Sequence, residues 1–326
     1  EGVDLNKILS EDALGAVIDR IGDLSTDMQR ILILAAYTRS SFEANILERL
    51  TDLNGDKLEY ARLVKLLDKA VLDGFLSNNV GSTFYNFAHD RIQEAVCTTV
   101  PSGQERDELR LKLGMRLFDL VMKDDVGQEW MYFAAADHLN ASAHLLKTDD
   151  PLFLVDFNVL VSKRASSVSA LDTAAKYLEM ARQGLHRLGA DYWQNFHETS
   201  LSVHRKLADI LFRVGRFDFG NQIAKELIDN VHSFDEKLPT HIAQCNSKRA
   251  QQRANEGYEM SIKILRENHL IPKRDVGLKF QLFRDFLYVR KYLAHHSNEH
   301  ILSKQLIEDR HLHGIVELFE ATSSQA

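Results

Sequence analysis

The residues whose types and spacing could do chemistry lie in one run, Phe84-Tyr85-Asn86-Phe87-Ala88-His89-Asp90-Arg91-Ile92-Gln93-Glu94-Ala95-Val96. Its aromatic half predicts a short strand and its second half an amphipathic helix, so His89 and Asp90 fall at a helix start. Backbone N–H groups there lack partners within the helix and point outward, where they meet anions. An imidazole at that place suits contact with a phosphate, and Arg91 can reach either the same anion or Glu94. The plainer alternative is a cap, in which Asp90 accepts N–H bonds from the first turn while His89 packs or faces solvent.

Other chemistry-bearing residues offer less. His296 and His300 share a helical face, as zinc-binding pairs do, but His295, His311 and His313 supply no third ligand at a diagnostic distance. All five are expected to be solvated, with no metal site. Cys97 and Cys245 are too few for a disulfide framework and read as small packing residues of a reducing compartment. Trp130, Tyr132 and Phe133, at helical spacing, are expected in a core. The sequence contains no Gly-x-x-x-x-Gly-Lys-Ser/Thr loop, no strand ending in paired carboxylates for Mg²⁺ and no kinase signatures. No catalytic residue is therefore assigned.

The elements that must position the His-Asp pair begin at residue 24, after an N-terminal helix or linker over 1–23. Thr26 and Gln29, at capping-box spacing, open a helix with Met28, Ile31, Leu32 and Ala35 on one face. A break at Arg39-Ser40-Ser41 precedes a helix over 42–50. Past the Asn54-Gly55-Asp56 turn a third helix turns Leu58, Ala61, Val64, Leu67 and Val71 inward and closes at Asp73-Gly74. Strands at 75–76 and 83–87 then flank an Asn78-Asn79-Val80-Gly81 turn. Three helices and a hairpin predict a winged-helix domain over 24–101.

Beyond it the pattern is helical throughout. Leu109, Leu113, Leu117 and Val121 stand at four-residue steps, and amphipathic stretches recur near 129–146, 153–165, 169–188, 192–214, 217–231, 240–254, 257–267, 276–294 and 299–307. Breaks at Gly189-Ala190-Asp191 and Gly215-Arg216 separate helices that small residues such as Ala174, Ala175 and Gly220 let approach. The hairpins recur at about 40 residues, longer than the tetratricopeptide period of 34, which predicts a tetratricopeptide-like superhelix over 102–320. Residues 321–326 are expected to be a disordered tail, and the chain as a whole a segment of a longer one.

Composition limits the partners. The chain is 44% hydrophobic and 27% charged over 326 residues, enough for real cores, and its net charge of -7 argues against a polyanion binder. The third helix interleaves Lys57, Arg62, Lys65 and Lys69 with Asp56, Glu59, Asp68 and Asp73, so it carries no positive stripe for DNA. The clusters Lys248-Arg249 with Arg253, and Lys273-Arg274, read as solvated faces. No apolar run spans a membrane and no signal peptide is seen, which gives a cytoplasmic expectation.

Taken together, Phe87-Ala88-His89-Asp90-Arg91-Ile92-Gln93-Glu94-Ala95, then Val100-Pro101, Leu113-Gly114, Asp137-His138-Leu139-Asn140 and the stretch from Ala174 to Gly184 with Tyr177, resemble the middle region of STAND-type signalling ATPases. These occur in large hybrid histidine kinases and serine/threonine kinase fusions. The resemblance implies a nucleotide-binding domain before the winged helix and helical repeats after it. In related immune and apoptotic ATPases a Met-His-Asp motif sets its histidine against the phosphates of ADP. By that likeness His89 is a nucleotide sensor, Asp90 its structural partner and Arg91 a neighbour, although alanine here replaces the methionine. The expected role is a non-catalytic regulatory and protein-interaction segment in signal transduction. It would have no cofactor of its own, with ATP or ADP on the adjoining domain. The alternatives are a DNA-binding winged-helix regulator with a sensing superhelix, or part of a histidine kinase or ATPase whose catalytic domains lie elsewhere.

Overall fold

The computed structural model describes residues 5–54, 58–79, 82–123, 128–272, 275–297, 300, 303 and 309–323. The chain is mainly helical and divides into two compact units, Glu1–Leu154 and Val155–Ala326.

In the first unit α1 (Leu5–Gly22) and α2 (Thr26–Thr38) lead into β1 (Ser41–Glu43), α3 (Ala44–Leu50), a 3-10 turn at Thr51–Asn54 and α4 (Tyr60–Leu72). Then come β2 (Leu76–Asn78), β3 (Phe84–Phe87), α5 (Asp90–Thr99), α6 (Gln104–Lys123) and α7 (Glu129–Ala141). The cap of α2 is Ser25, whose hydroxyl accepts from the Met28 N–H at 3.4 Å, in place of the expected Thr26. Gln29 thereby falls one position past the capping-box site. Its amide instead donates to the carbonyls of Ile21, Gly22 and Leu24 at 2.9–3.0 Å, tying off the end of α1.

A third strand begins at the break expected at residues 39–41 and takes the first two residues of the helix predicted over 42–50, which starts at Ala44. β3 is the middle of an antiparallel sheet in the order β1-β3-β2, with Phe42 opposite Tyr85 and Leu76 opposite Phe87. Three residues are too few for a period-two signal, so β1 was illegible in sequence. Alternation along β3 buries Tyr85 and Phe87 and exposes Phe84 and Asn86. The buried pair packs on Phe42 at ring separations of 6.2 and 6.3 Å, and the Tyr85 hydroxyl donates to Asp68 at 2.9 Å. On α4 the buried face is Leu63, Leu67 and Ala70, while Ala61 is exposed. Leu58 is buried ahead of the helix, so a helical period counted from it drifts off the true face. Ile31, Leu32, Ala35, Leu47, Ala95 and Val96 complete this core. Each of the larger aliphatic ones contributes about 1.5–3 kcal/mol by leaving water, and each alanine less.

The helices α6 and α7, expected to start the repeats, belong to this first unit. Arg116 Nε donates to the Arg49 carbonyl at 2.9 Å, Gln128 to Glu43 at 2.7 Å, and His138 Nε2 to the Tyr37 carbonyl at 2.8 Å.

At the junction with the second unit stands α8 (Phe153–Ser167), and α9 (Leu171–Arg187), α10 (Tyr192–Asn195), α11 (His197–Arg213) and α12 (Phe217–Asn230) follow. Then come α13 (Phe234–Ala250), α14 (Ala254–Glu267), α15 (Asp275–His295) and α16 (Arg310–Ser323). Helix α11 packs against α9, α12 and α13. Gly215, at φ +79°, turns the chain out of α11, and a Cβ on Gly220 would lie 2.7 Å from the Phe212 ring, so α12 approaches α11 there as only glycine permits.

Three expectations change here. The helix predicted over 192–214 is two, because Phe196 leaves helical geometry at φ -133°, ψ 49°. Helix α13 starts at Phe234 instead of near 240, since Pro239 sits inside it and removes only one backbone donor. The helix α16 runs through 321–323, and Ala321 is buried with Leu318, Cys245 and Leu265 instead of trailing as a tail. Apart from residues 300 and 303, the helix predicted over 299–307 lies outside the described residues, as do the turns at 55–56 and 80–81 and the Lys273-Arg274 pair. Among the described residues no helix is long and apolar enough to cross a membrane.

Candidate functional site

His89 sits where β3 hands over to α5. The chain is pinned just ahead of it: Phe87 N–H donates to the Ser40 carbonyl at 3.0 Å and Ala88 N–H to the Phe75 carbonyl at 3.1 Å. His89 is extended, at φ -156° and ψ 145°, and is itself the N-cap of α5, its Nδ1 accepting from the Arg91 N–H at 3.1 Å. The cap is thus the histidine and not Asp90, which occupies the first helical position. A ring nitrogen that accepts a hydrogen bond carries no proton, so the neutral ring holds its proton on Nε2 and presents an N–H donor. His89, Asp90 and Arg91 are all exposed. The carboxylate of Asp90 already complements the helix dipole, which leaves the imidazole N–H as the directional donor of the pair. Behind them Gln93 Nε2 donates to the Ala36 carbonyl at 2.9 Å and fixes α5 against α2.

A second constellation, unforeseen in sequence, lies in the other unit. Glu226 on α12 receives side chains from three other helices. From α9, Arg182 donates to Oε2 through Nη2 at 2.6 Å and Nε at 3.1 Å, and His186 Nε2 stands 3.4 Å from Oε1. From α10, the Tyr192 hydroxyl donates to Oε1 at 2.7 Å, and from α11, His204 Nε2 lies 3.1 Å from the same oxygen. His204 has no exposed side-chain surface, Glu226 keeps 20% and His186 42%, so the cluster is closed on the α11 side and open beside His186. The His204 ring rests 4.7 Å from that of Trp193. The break at Phe196 is what turns Tyr192 and Trp193 toward it.

Electrostatics follow this geometry. Burial works to raise the Glu226 carboxyl, but hydrogen bonds from His204, Tyr192 and Arg182 outweigh it and hold it down at about 2. Burial and the hydrogen bond to Glu226 both push the Tyr192 phenol up. Burial, with Arg182 nearby, lowers His186 against the pull of Glu226.

The remaining candidates are dispersed. His295 and His296 Nδ1 bond back to the carbonyls of Lys291 and Tyr292 at 2.7 and 2.8 Å. His296 and His300 stack face to face at 4.7 Å, and His313 pairs with Glu317 at 3.6 Å. The side chain of His311 lies outside the described residues. Tyr132 is buried and donates to the Val121 carbonyl, whereas Trp130 and Phe133 are half-buried. Cys97 is half-buried and Cys245 buried, and neither is in a disulfide.

No protein-family model, curated protein or solved structure matches this chain.

Sequence spacing could not have found the second cluster, because its members come from four helices. The one local trace is Arg182 and His186, four residues apart on α9 and so on one face.

Proposed function

We propose that this chain is a non-catalytic regulatory segment in which His89 reads the nucleotide state of an adjoining nucleotide-binding domain and the helical second half offers a partner surface. One observation carries this reading. The exposed His89 stands at the strand-to-helix junction with Nδ1 used as a cap, which leaves the N–H of its neutral ring on Nε2 for another partner. Such a group donates to a phosphate oxygen without reorganising. The order helix, strand, helix, helix, strand, strand around a three-stranded sheet supports a winged-helix module as its carrier. The helical pairs of the second unit support a tetratricopeptide-like repeat reading. Loss of the His89 contact on nucleotide exchange would shift the population of module positions. The charge on α4 does not favour DNA: Arg62 is engaged by Asp27, and Asp68 by Tyr85.

The test separates cap from sensor. Asparagine offers an acceptor near the position of the imidazole Nδ1 but nothing at Nε2, so His89→Asn retains the cap and removes the donor, whereas His89→Ala removes both. In the whole protein that carries this chain, both variants are expected to weaken ADP binding at least tenfold, and only His89→Ala to lower stability. ADP affinity unchanged in both overturns the reading, as does salt-sensitive duplex-DNA binding by the chain in its place.

A further inference from the structure

The contact between His204 and Glu226 poses a problem of protons. His204 Nδ1 lies 2.8 Å from the Ser200 carbonyl oxygen, which can only accept, so Nδ1 carries the ring's N–H. In the neutral ring Nε2 then presents a lone pair, and it does so 3.1 Å from a carboxylate oxygen that also presents lone pairs. Two such groups approach closely only with a cation between them, either a second ring proton, which makes the contact a hydrogen bond to Glu226, or a metal ion in its place. His186 Nε2 converges on the same oxygen at 3.4 Å, and the three ligand atoms all lie within 4.8 Å of one another.

We propose that His186, His204 and Glu226 form a binding site for a zinc-class divalent metal ion, with Nε2 of both histidines and Oε1 of the glutamate as ligands. The spacing suits it: ligands at zinc bond lengths on a tetrahedron are separated by about 3.3 Å, which the separations of 3.1 and 3.4 Å bracket. The surroundings suit it as well. Metal-bound histidines commonly donate their second N–H to a backbone carbonyl, as His204 does to Ser200, and ligating carboxylates are themselves hydrogen-bonded. Tyr192 takes one lone pair of Oε1 and leaves the other, while Arg182 engages only Oε2. The fourth position faces the open side beside His186, where an ion can enter. The guanidinium charge of Arg182, close to the same carboxylate, opposes cation binding and so moderates the affinity. A bound ion would clamp α9, α11 and α12 to one another, making the packing of the second unit metal-dependent.

Calorimetric titration of the chain with Zn²⁺, and with Co²⁺ followed by visible absorption, tests this. One ion per chain is expected, with the intense absorption of a low-coordinate cobalt site. His186→Asn, at a half-exposed position, is expected to weaken binding at least tenfold, and His296→Asn to leave it unchanged. On the unmutated chain, imidazole NMR should show Zn²⁺ shifting the Nε2 resonances of two histidines, one of them lost in His186→Asn. Absence of saturable one-to-one binding overturns the proposal and leaves a proton as the bridging cation. Binding that survives His186→Asn, or that disappears with His296→Asn, overturns it equally.

Discussion

Replacing Glu226 by glutamine probes the second unit at its most connected point. Glutamine keeps the volume but cannot satisfy the same partners. If its carbonyl faces Tyr192 and His204, its NH₂ meets the donors of Arg182, and the reverse orientation sets NH₂ against the tyrosine hydroxyl. The carboxyl titrates at about 2 against 4.5 for a free one, which at 1.36 kcal/mol per pH unit is about 3 kcal/mol of stability at neutral pH. Because the folded value lies below the unfolded one, that contribution is complete above about pH 4.5 and is lost as pH falls toward about 2. More than half should be gone by about pH 3.

The assay is urea unfolding followed by Trp193, which packs on His204, in a Trp130→Phe background with a chelator present so that only protons act. With a slope of about 2 kcal/mol per molar urea, Glu226→Gln is expected to lower the midpoint by about 1–2 M at pH 7. The gap between the two proteins should narrow steadily below about pH 4.5. Equal midpoints at pH 7, or a gap that stays constant down to about pH 3, would refute the reasoning.

Gly220→Ala is expected to destabilise the same unit by about 1–3 kcal/mol, because the new methyl would press within 2.8 Å of two Phe212 ring atoms on α11. The same fluorescence assay reads it, and an unchanged or raised midpoint would show that the ring yields freely. The thiols should differ in reactivity toward an aromatic disulfide. Burial pushes both up, Cys245 to about 11, with Arg106 and Arg110 partly offsetting the effect at Cys97. Cys97 should react slowly in the native chain and Cys245 only as urea unfolds the protein; immediate reaction of two thiols would contradict the burial.

Helical content was legible because apolar residues recur at three- and four-residue steps over long stretches: Leu113, Leu117 and Val121 are buried as their spacing demands. Phe84–Phe87 and the helix after it were legible for the same reason, since alternation and helical period change within a few residues. Short or phase-sensitive features were not. Three residues could not announce β1, and the face of α4 depended on where its first turn began.

The sequence by itself determined most of the helices and the β3-to-α5 junction, since these rest on local periodicity and on hydrogen bonds reaching two to four residues along the chain, but it left open whether His89 packs or faces solvent. Only the tertiary structure decided that His89 and not Asp90 would cap α5, because that choice turns on the backbone angle with which β3, pinned by its sheet partners, delivers the chain to the helix. It alone also brought His186, Tyr192, His204 and Glu226 together. These residues lie on four helices with no common period, and they meet because apolar seams pack α9, α11 and α12, a packing indifferent to the polar groups it carries inward.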